Sequence, residues 1–304
     1  MKLRNSVLSA LLLAVCIPFA LGEESAAGWK DDLEHWRTDH AARLSAPDGW
    51  LTVVGLEWLH TGDNSVGSAT DNTIHIDGNA TNHLAILRLN GEHIRLLAPR
   101  EGFPKGMTLN GKTVTESDLE VDGAHPSTLH FGDFTLVVIH RGEKFGLRIR
   151  NASAPARLQF HGLRWYPPDP SYRITAEWIP YKQPRQVTIQ NVVGISSPAE
   201  VAGEAHFQLH GVTYALLPVV EGKTLFFVLR DETSRSTTYQ ASRFLNTPLP
   251  DNGIQNPGTV VLDFNRLVNP PCAFTAYATC PLPLNENKLQ VEIPVGELRY
   301  EHNE

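Results

Sequence analysis

Cysteine and methionine are nearly missing from this chain of 304 residues, which has three of the first and two of the second. So few thiols exclude a disulfide-dense scaffold and a zinc module built on four cysteines. Runs of basic residues are absent too. Lysine and arginine total 26 against 33 acidic residues, a formal charge of −7, and such a mildly acidic chain lacks the footprint of a nucleic-acid binder. Beyond residue 22 no apolar run approaches the roughly 20 residues that cross a bilayer as a helix, so the body of the chain is expected to be soluble, with no transmembrane segment. The G-x-S-x-G elbow, the H-E-x-x-H zinc helix and the phosphate-cradling G-x-x-x-x-G-K are absent as well. Without them the common serine hydrolases, zinc proteases and P-loop enzymes drop out, and no cofactor is expected.

What is present starts at the N-terminus. Lys2 and Arg4 precede an apolar stretch from Val7 to Val15, and Ala20-Leu21-Gly22 puts small residues at the two positions a signal peptidase reads. Residues 1–22 are therefore read as a signal peptide, and the protein as exported to the periplasm or beyond. A membrane anchor is the competing reading, but the uncharged run from Asn5 to Gly22 is near the lower length limit and contains Pro18. Lipoprotein anchoring through Cys16 is disfavoured because Val15 is larger than the glycine or alanine such a site prefers. Loss of Lys2 and Arg4 would take the charge from −7 to −9.

Cleavage would also leave Cys272 and Cys280 as the only thiols, with seven residues between them. A metal site, a redox pair and a structural staple are the options. Zinc favours four ligands in closely spaced pairs and thioredoxin chemistry favours C-x-x-C, and neither spacing occurs. In an oxidising compartment the pair is expected to form a disulfide. The nine-residue loop it closes would gain about 2–3 kcal/mol through denatured-state entropy. Pro270, Pro271, Pro281 and Pro283 stiffen the same stretch.

The expected fold class is mainly β. One helix is legible within 23–48, from Trp29, Leu33, Trp36 and His40 at helical spacing, ended by Pro47-Asp48-Gly49. Hairpins are expected at Asn90-Gly91 and Asn110-Gly111, each between strand-like runs, and a further meander around Gly142. From "RQVTIQNVVG" onward, strand-like runs recur about every ten residues, the spacing of a sandwich or barrel. The proline- and aromatic-rich stretch after residue 155 suggests a boundary there, though it could equally be a packed crossover. This gives two β-rich, sandwich- or barrel-like halves, 49–155 and 156–304.

Polar residues gather near the C-terminus. Asp231, Thr233, Thr237, Tyr239 and Arg243 come first, then Asp263, Asn265 and Asn269, and finally Glu297. On one reading they build turns and hydrogen-bond the backbone. On the other, Asp231, Tyr239, Asp263 and Glu297 are candidate catalytic groups, and Arg243, Tyr239, Asn265 and Asn269 candidate contacts to a small polar or anionic ligand.

The stretches "DGWLTVVGLEWLHTGDNSVGS", "FFVLRDETSRSTTY" and "LDFNRLVNPPCAFTAYATCPLPLNENKL" with the closing "VGEL" resemble domain of unknown function 1684, a bacterial and archaeal family. Positions matching its motifs are Trp50, Trp58, Gly67, Asp231, Thr233, Tyr239, Arg243, Asp263, Asn265, Asn269, Cys272, Cys280 and Glu297. The chain departs from the pattern at Arg235 and Ser242, where glycine is usual, and at Leu267-Val268, usually Ala-Tyr. The resemblance implies no activity. Residues 66–132 also have an outline similar to forkhead-associated sandwiches, in Val66-Gly67-Ser68, Asn72 to Ile76, His83 and Asn110-Gly111. Ser68 stands where that family carries a phosphothreonine-binding arginine, so the outline implies a fold and not phosphopeptide binding.

Thirteen histidines make a metal worth weighing, with His206 and His210 as the nearest pair. On a strand, four residues span roughly 13 Å, too far for one ion, so no metal is expected. Trp50, Trp58, Trp165, Tyr166, Trp178 and Tyr181 are rings that could stack a ligand but more often pack. Three function classes remain: a binder of a small polar or anionic ligand, an enzyme using Asp or Glu as general acid or base, and a structural envelope module.

Overall fold

The computed structural model describes residues 26–78, 81–121 and 125–302. The signal-peptide reading, with Cys16, lies outside them.

Helix α1 covers Ala26–Leu44. Trp29, Leu33, Arg37 and Leu44 are buried along one stripe of it, the i, i+4 pattern of a helix docked on a core. The dock is the C-terminal half. Trp29 donates Nε1–H to Asp263 at 2.9 Å, Arg37 donates to the Tyr166 carbonyl at 3.3 Å, and the Arg37 guanidinium lies 4.7 Å from the Trp165 ring centre. Gly49 then turns the chain back on the helix end. A Cβ there would sit 2.3 Å from the Leu44 carbonyl oxygen, so the close approach that brings Trp50 beside the helix needs glycine.

Mostly antiparallel sheets make up the rest, with one parallel pair where Val66 and Gly67 meet Ile74 and His75, and no sheet closes into a barrel among the described residues. In the first half a six-stranded sheet centred on Phe134–Arg141 and Lys144–Asn151 faces a five-stranded sheet centred on Gly62–Gly67 and Ala85–Asn90. Between them a core runs from Leu59 to Ile149. In the second half a four-stranded sheet contains the long pair Arg173–Gln190 and Ser196–Leu209, and a three-stranded sheet contains Thr224–Leu229 and Arg243–Pro248. Their core runs from Tyr172 to Val295.

Turn chemistry is followed with two corrections. Asn110-Gly111 forms the two-residue turn with both φ positive, at 52° and 75°, as its sequence demands. In the other hairpin Asn90 pairs with His93, so the turn is Gly91-Glu92 and Asn90 ends the strand. His210 is not on a strand: with φ 51° it leads the turn His210-Gly211, taking the place an asparagine usually fills. The strand-like runs "RITAEWIPY" and "RQVTIQ" also merge into the single strand Arg173–Gln190, with a register shift between Pro180 and Arg185.

Strand Lys144–Asn151 decides where the site lies, because it is covered on both faces. Phe145, Leu147 and Ile149 enter the first core. The opposite face, with Arg148, meets the C-terminal half. There Thr275 donates to the Val53 carbonyl at 3.0 Å and Arg141 to the Thr279 hydroxyl at 3.2 Å. An apolar seam of Val228, Phe244, Ala278 and Cys280 with Trp50 fills this junction.

Candidate functional site

Most of the polar residues singled out in the C-terminal half are built into scaffold. Asp231 and Arg243 form an ion pair at 2.9 Å with side chains 0% and 1% exposed. The Asp231 carboxylate also accepts from Thr233 N–H, the Thr233 hydroxyl and Ile293 N–H at 2.9, 2.6 and 3.2 Å. Arg243 donates to the Ile293 carbonyl at 3.0 Å and to the Val295 carbonyl. With its Nη atoms committed in this way, Arg243 pins the segment 293–295 instead of facing a cavity. Asp263 likewise caps a short turn through Asn265 N–H at 3.2 Å and Asn265 Nδ2 at 3.0 Å, besides holding Trp29. Asn265 clamps Asp169 at both its N–H and its carbonyl, each at 2.9 Å. Neither Arg235 nor Ser242 has a positive φ, so loss of the glycines usual there creates no backbone strain.

Tyr239 donates its hydroxyl to the Cys272 carbonyl at 3.1 Å. Burial, followed by its contact with Cys272, pushes its pKa upward. Cys272 and Cys280 are both free thiols in this structure and adjacent: Cys272 N–H points at Cys280 Sγ from 3.1 Å. A hydrogen bond from Cys280 holds the Cys272 thiol below its usual pKa, and the same bond, with burial, raises that of Cys280.

The remaining two residues, Asn269 and Glu297, meet elsewhere. Glu297 is 1% exposed and accepts from Asn269 N–H at 2.9 Å and Asn269 Nδ2 at 2.7 Å. Its Oε2 lies 3.4 Å from His40 Nε2 on helix α1. His40 in turn stacks on Trp36 at 5.6 Å between ring centres. His40 and Asn269 line a cavity of about 460 Å³ between the end of helix α1, the turn that follows it and the C-terminal half. Arg43, Asp48, Asn246 and Val268 contribute to its wall, with the rings of Trp50, Phe244 and Phe274. His40 and Arg43, three residues apart, fall on one helix face. Of the six aromatic residues singled out from the sequence, Trp50 alone lines this cavity, while Trp178 is fully buried in the second core.

Behind Trp50 stands Arg148, its guanidinium 4.8 Å from the ring centre, with that of Arg150 at 5.8 Å. Arg148 is 7% exposed, and its Nε and Nη2 have no hydrogen-bond partner. Burial, reinforced by Arg141 and Arg150, lowers its pKa to about 10. A buried cation without a carboxylate costs stability, which stacking on Trp50 only partly offsets. Arg148→Met is therefore expected to raise stability, by about 1 kcal/mol or more. Chemical denaturation would check this, and a lower midpoint would show that Arg148 has a partner. Linkage gives the same sign. Because the folded-state pKa lies below the unfolded value, the native state sheds this proton first, so the penalty is full below about pH 10 and fades as pH rises toward 12.5.

Sequence reasoning missed His40 as more than a helix-face residue and Asp48 as more than a turn residue, and missed Arg43 and Arg148 altogether. Metal chemistry has no obvious seat: among the described residues no three His, Cys, Asp or Glu side chains cluster to hold an ion. His206 pairs with Glu204 at 2.7 Å instead.

The wall of this cavity formed by strand Arg243–Pro248, Val268, Asn269 and Phe274 falls within one recognisable block of sequence. Residues 158–298 match the family model described as Protein of unknown function (DUF1684). The matched block thus supplies Asn269 and Glu297, whereas His40, Arg43 and Trp50 come from outside it. Val268, where the sequence departs from the family's usual tyrosine, lines the cavity. The solution NMR structure of an uncharacterised protein of Haloarcula marismortui is similar at 28% identity and a TM-score of 0.40, covering 47% of this chain and 78% of that one. The FhaA FHA domain, solved in complex with the intracellular domain of Rv3910, is 18% identical with a TM-score of 0.22. It covers 31% of this chain and 97% of its own. A second FHA domain, from work on phosphothreonine-dependent interactions, has the same identity and TM-score and 92% coverage of its own chain. No curated protein matches the chain.

Proposed function

We propose that the protein is an exported binder of a small anionic molecule, held in the cavity between helix α1 and the DUF1684 block. The observation that carries this reading is the cavity's composition. Exposed Arg43 offers a cation beside His40, Asn246 and Asn269 offer amides, and Trp50, Phe244 and Phe274 offer apolar surface. A few convergent polar groups in an aromatic-lined cleft is the usual anatomy of a small-molecule site. Arg148 and Arg150 behind Trp50 add positive potential, and a guanidinium matches carboxylate or phosphate geometry. This moves the site away from Arg243, Tyr239 and Asn265 and keeps Asn269. The structural-module reading accounts for the scaffold residues but leaves the cavity without a role. Export rests on the pattern of residues 1–22.

The test is thermal denaturation of the chain from residue 23 onward with succinate, glutarate or inorganic phosphate. A ligand at about 100 times its Kd stabilises by about 2.7 kcal/mol, or about 5–10 °C for a chain of this size. Arg43→Glu, an exposed change, should fold normally and lose the response. A flat response to all three anions, or an unchanged one in the variant, overturns the reading.

Export would also place Cys272 and Cys280 in an oxidising space, and their adjacency supports a disulfide there. Intact mass spectrometry of protein secreted by cells should then find the unreduced chain lighter by two hydrogen atoms than the reduced one. Equal masses would leave the thiols free.

A further inference from the structure

We propose a second ligand site, independent of the anion cavity: the pocket where the tip of the long hairpin meets the three-stranded sheet binds a small zwitterion, an α-amino acid with an apolar side chain. This pocket holds about 210 Å³, and four separate segments wall it. Arg141 ends strand Phe134–Arg141 of the first half, and Asn191 opens the turn between strands Arg173–Gln190 and Ser196–Leu209. Glu221 ends strand Val219–Glu221, and Thr279 precedes Cys280 in the loop between the two cysteines. Backbone bonds fasten the hairpin tip to that loop: Val192 N–H donates to the Cys280 carbonyl at 2.9 Å, and Leu282 N–H to the Gln190 carbonyl at 2.8 Å. The wall is thus set before a ligand arrives, which lowers the cost of binding.

The unmet polar groups of this wall define the ligand. Arg141 donates Nε–H to the Thr279 hydroxyl at 3.2 Å and Nη1 to the His140 carbonyl at 2.6 Å, which leaves Nη2 without a partner among the described residues. Asn191 is 8% exposed, and its Oδ1 accepts from Val193 N–H at 3.1 Å and Ile195 N–H at 3.0 Å. Its Nδ2 has no acceptor among the described residues, and a donor in so buried a side chain costs stability until a ligand or water supplies one. Glu221 lines the same pocket, and among the described residues nothing bonds to its carboxylate. Burial alone pushes its pKa up, so no cation stands close to it. Arg141 and Glu221 therefore share a pocket without pairing with each other. A simple anion would satisfy the first and be repelled by the second, and a simple amine the reverse. A molecule with a carboxylate and an ammonium satisfies both, the carboxylate accepting from Arg141 Nη2 and Asn191 Nδ2 and the ammonium donating to Glu221. Ile195, Val219, Phe226 and Val228 offer apolar wall to its side chain. The volume, below the roughly 300–1,000 Å³ of drug-sized sites, suits a ligand as small as an amino acid.

The probe is L-leucine, titrated calorimetrically into the chain from residue 23 onward, beside two molecules of the same shape that each lack one charge: 4-methylpentanoate, without the ammonium, and leucinamide, without the carboxylate. Expected is saturable leucine binding, with each of the other two weaker by about 10-fold or more. Glu221→Gln, an exposed change, should fold normally and weaken leucine by a similar factor without weakening 4-methylpentanoate. Arg43→Glu, in the other cavity, should leave leucine affinity as it is. Absence of leucine binding, equal affinity for all three molecules, or unchanged leucine affinity in Glu221→Gln overturns the proposal, whatever succinate or phosphate does at the first cavity. Leucine binding that Arg43→Glu abolishes would put the amino acid in the first cavity and overturn it as well.

Discussion

Arg243→Met is expected to cost the protein about 3–5 kcal/mol, a drop in Tm of about 10 °C or more. The size follows from what is left behind. Asp231 would remain fully buried with its Oδ2 stripped of the 2.9 Å guanidinium contact, and the carbonyls of Ile293 and Val295 would lose their donor. Removing one member of a buried ion pair leaves an uncompensated charge, which is far worse than removing both. The double variant Asp231→Asn with Arg243→Met should therefore lose less than the sum of the singles, and a double-mutant cycle reads the difference. Circular dichroism during heating is sufficient. A Tm within about 2 °C of the parent would show that the pair is dispensable.

Gly296→Ala should be nearly as damaging, at about 3 kcal/mol, and should also abolish the response to anions. Gly296 has φ +85°, and a Cβ there would lie 2.7 Å from the Leu267 carbonyl oxygen and 2.8 Å from Arg243 Nη2. The first contact is with backbone and cannot move aside cheaply. Displacing this residue also breaks the Glu297 N–H to Leu267 carbonyl bond of 2.8 Å, and with it the placement of Glu297 against Asn269 and His40. A variant that keeps its Tm yet loses anion binding would still tie Gly296 to the cavity. One that retains both would refute the prediction.

Element types were legible where period and turn chemistry agreed. Helix α1 followed from Trp29, Leu33 and His40 at helical spacing, and the Asn110-Gly111 hairpin from the φ preference of its two residues. The mainly β fold followed from the alternating runs. The site was not legible, for a physical reason visible at Arg148. Alternation along "FGLRIR" assigns Phe145, Leu147 and Ile149 to the core and both arginines to solvent, and the first assignment is correct. Arg148 is buried only because the C-terminal half covers the outer face of that strand, a tertiary fact with no local signal. The same limit applies to His40 and Glu297, which lie 3.4 Å apart but come from opposite ends of the chain. Arg243 and Asp231 carried the opposite error: charged residues in a loop-rich stretch suggest an accessible site, whereas carbonyls and a partner charge occupy them.

Helix α1 has a consequence for biosynthesis. It is synthesised early, yet Asp263, which grips its Trp29, emerges 234 residues later, and Glu297, which faces its His40, later still. Until then its apolar stripe has no dock and the cavity lacks a wall. Helix α1 thus stays undocked in every nascent chain that stops short of Asp263.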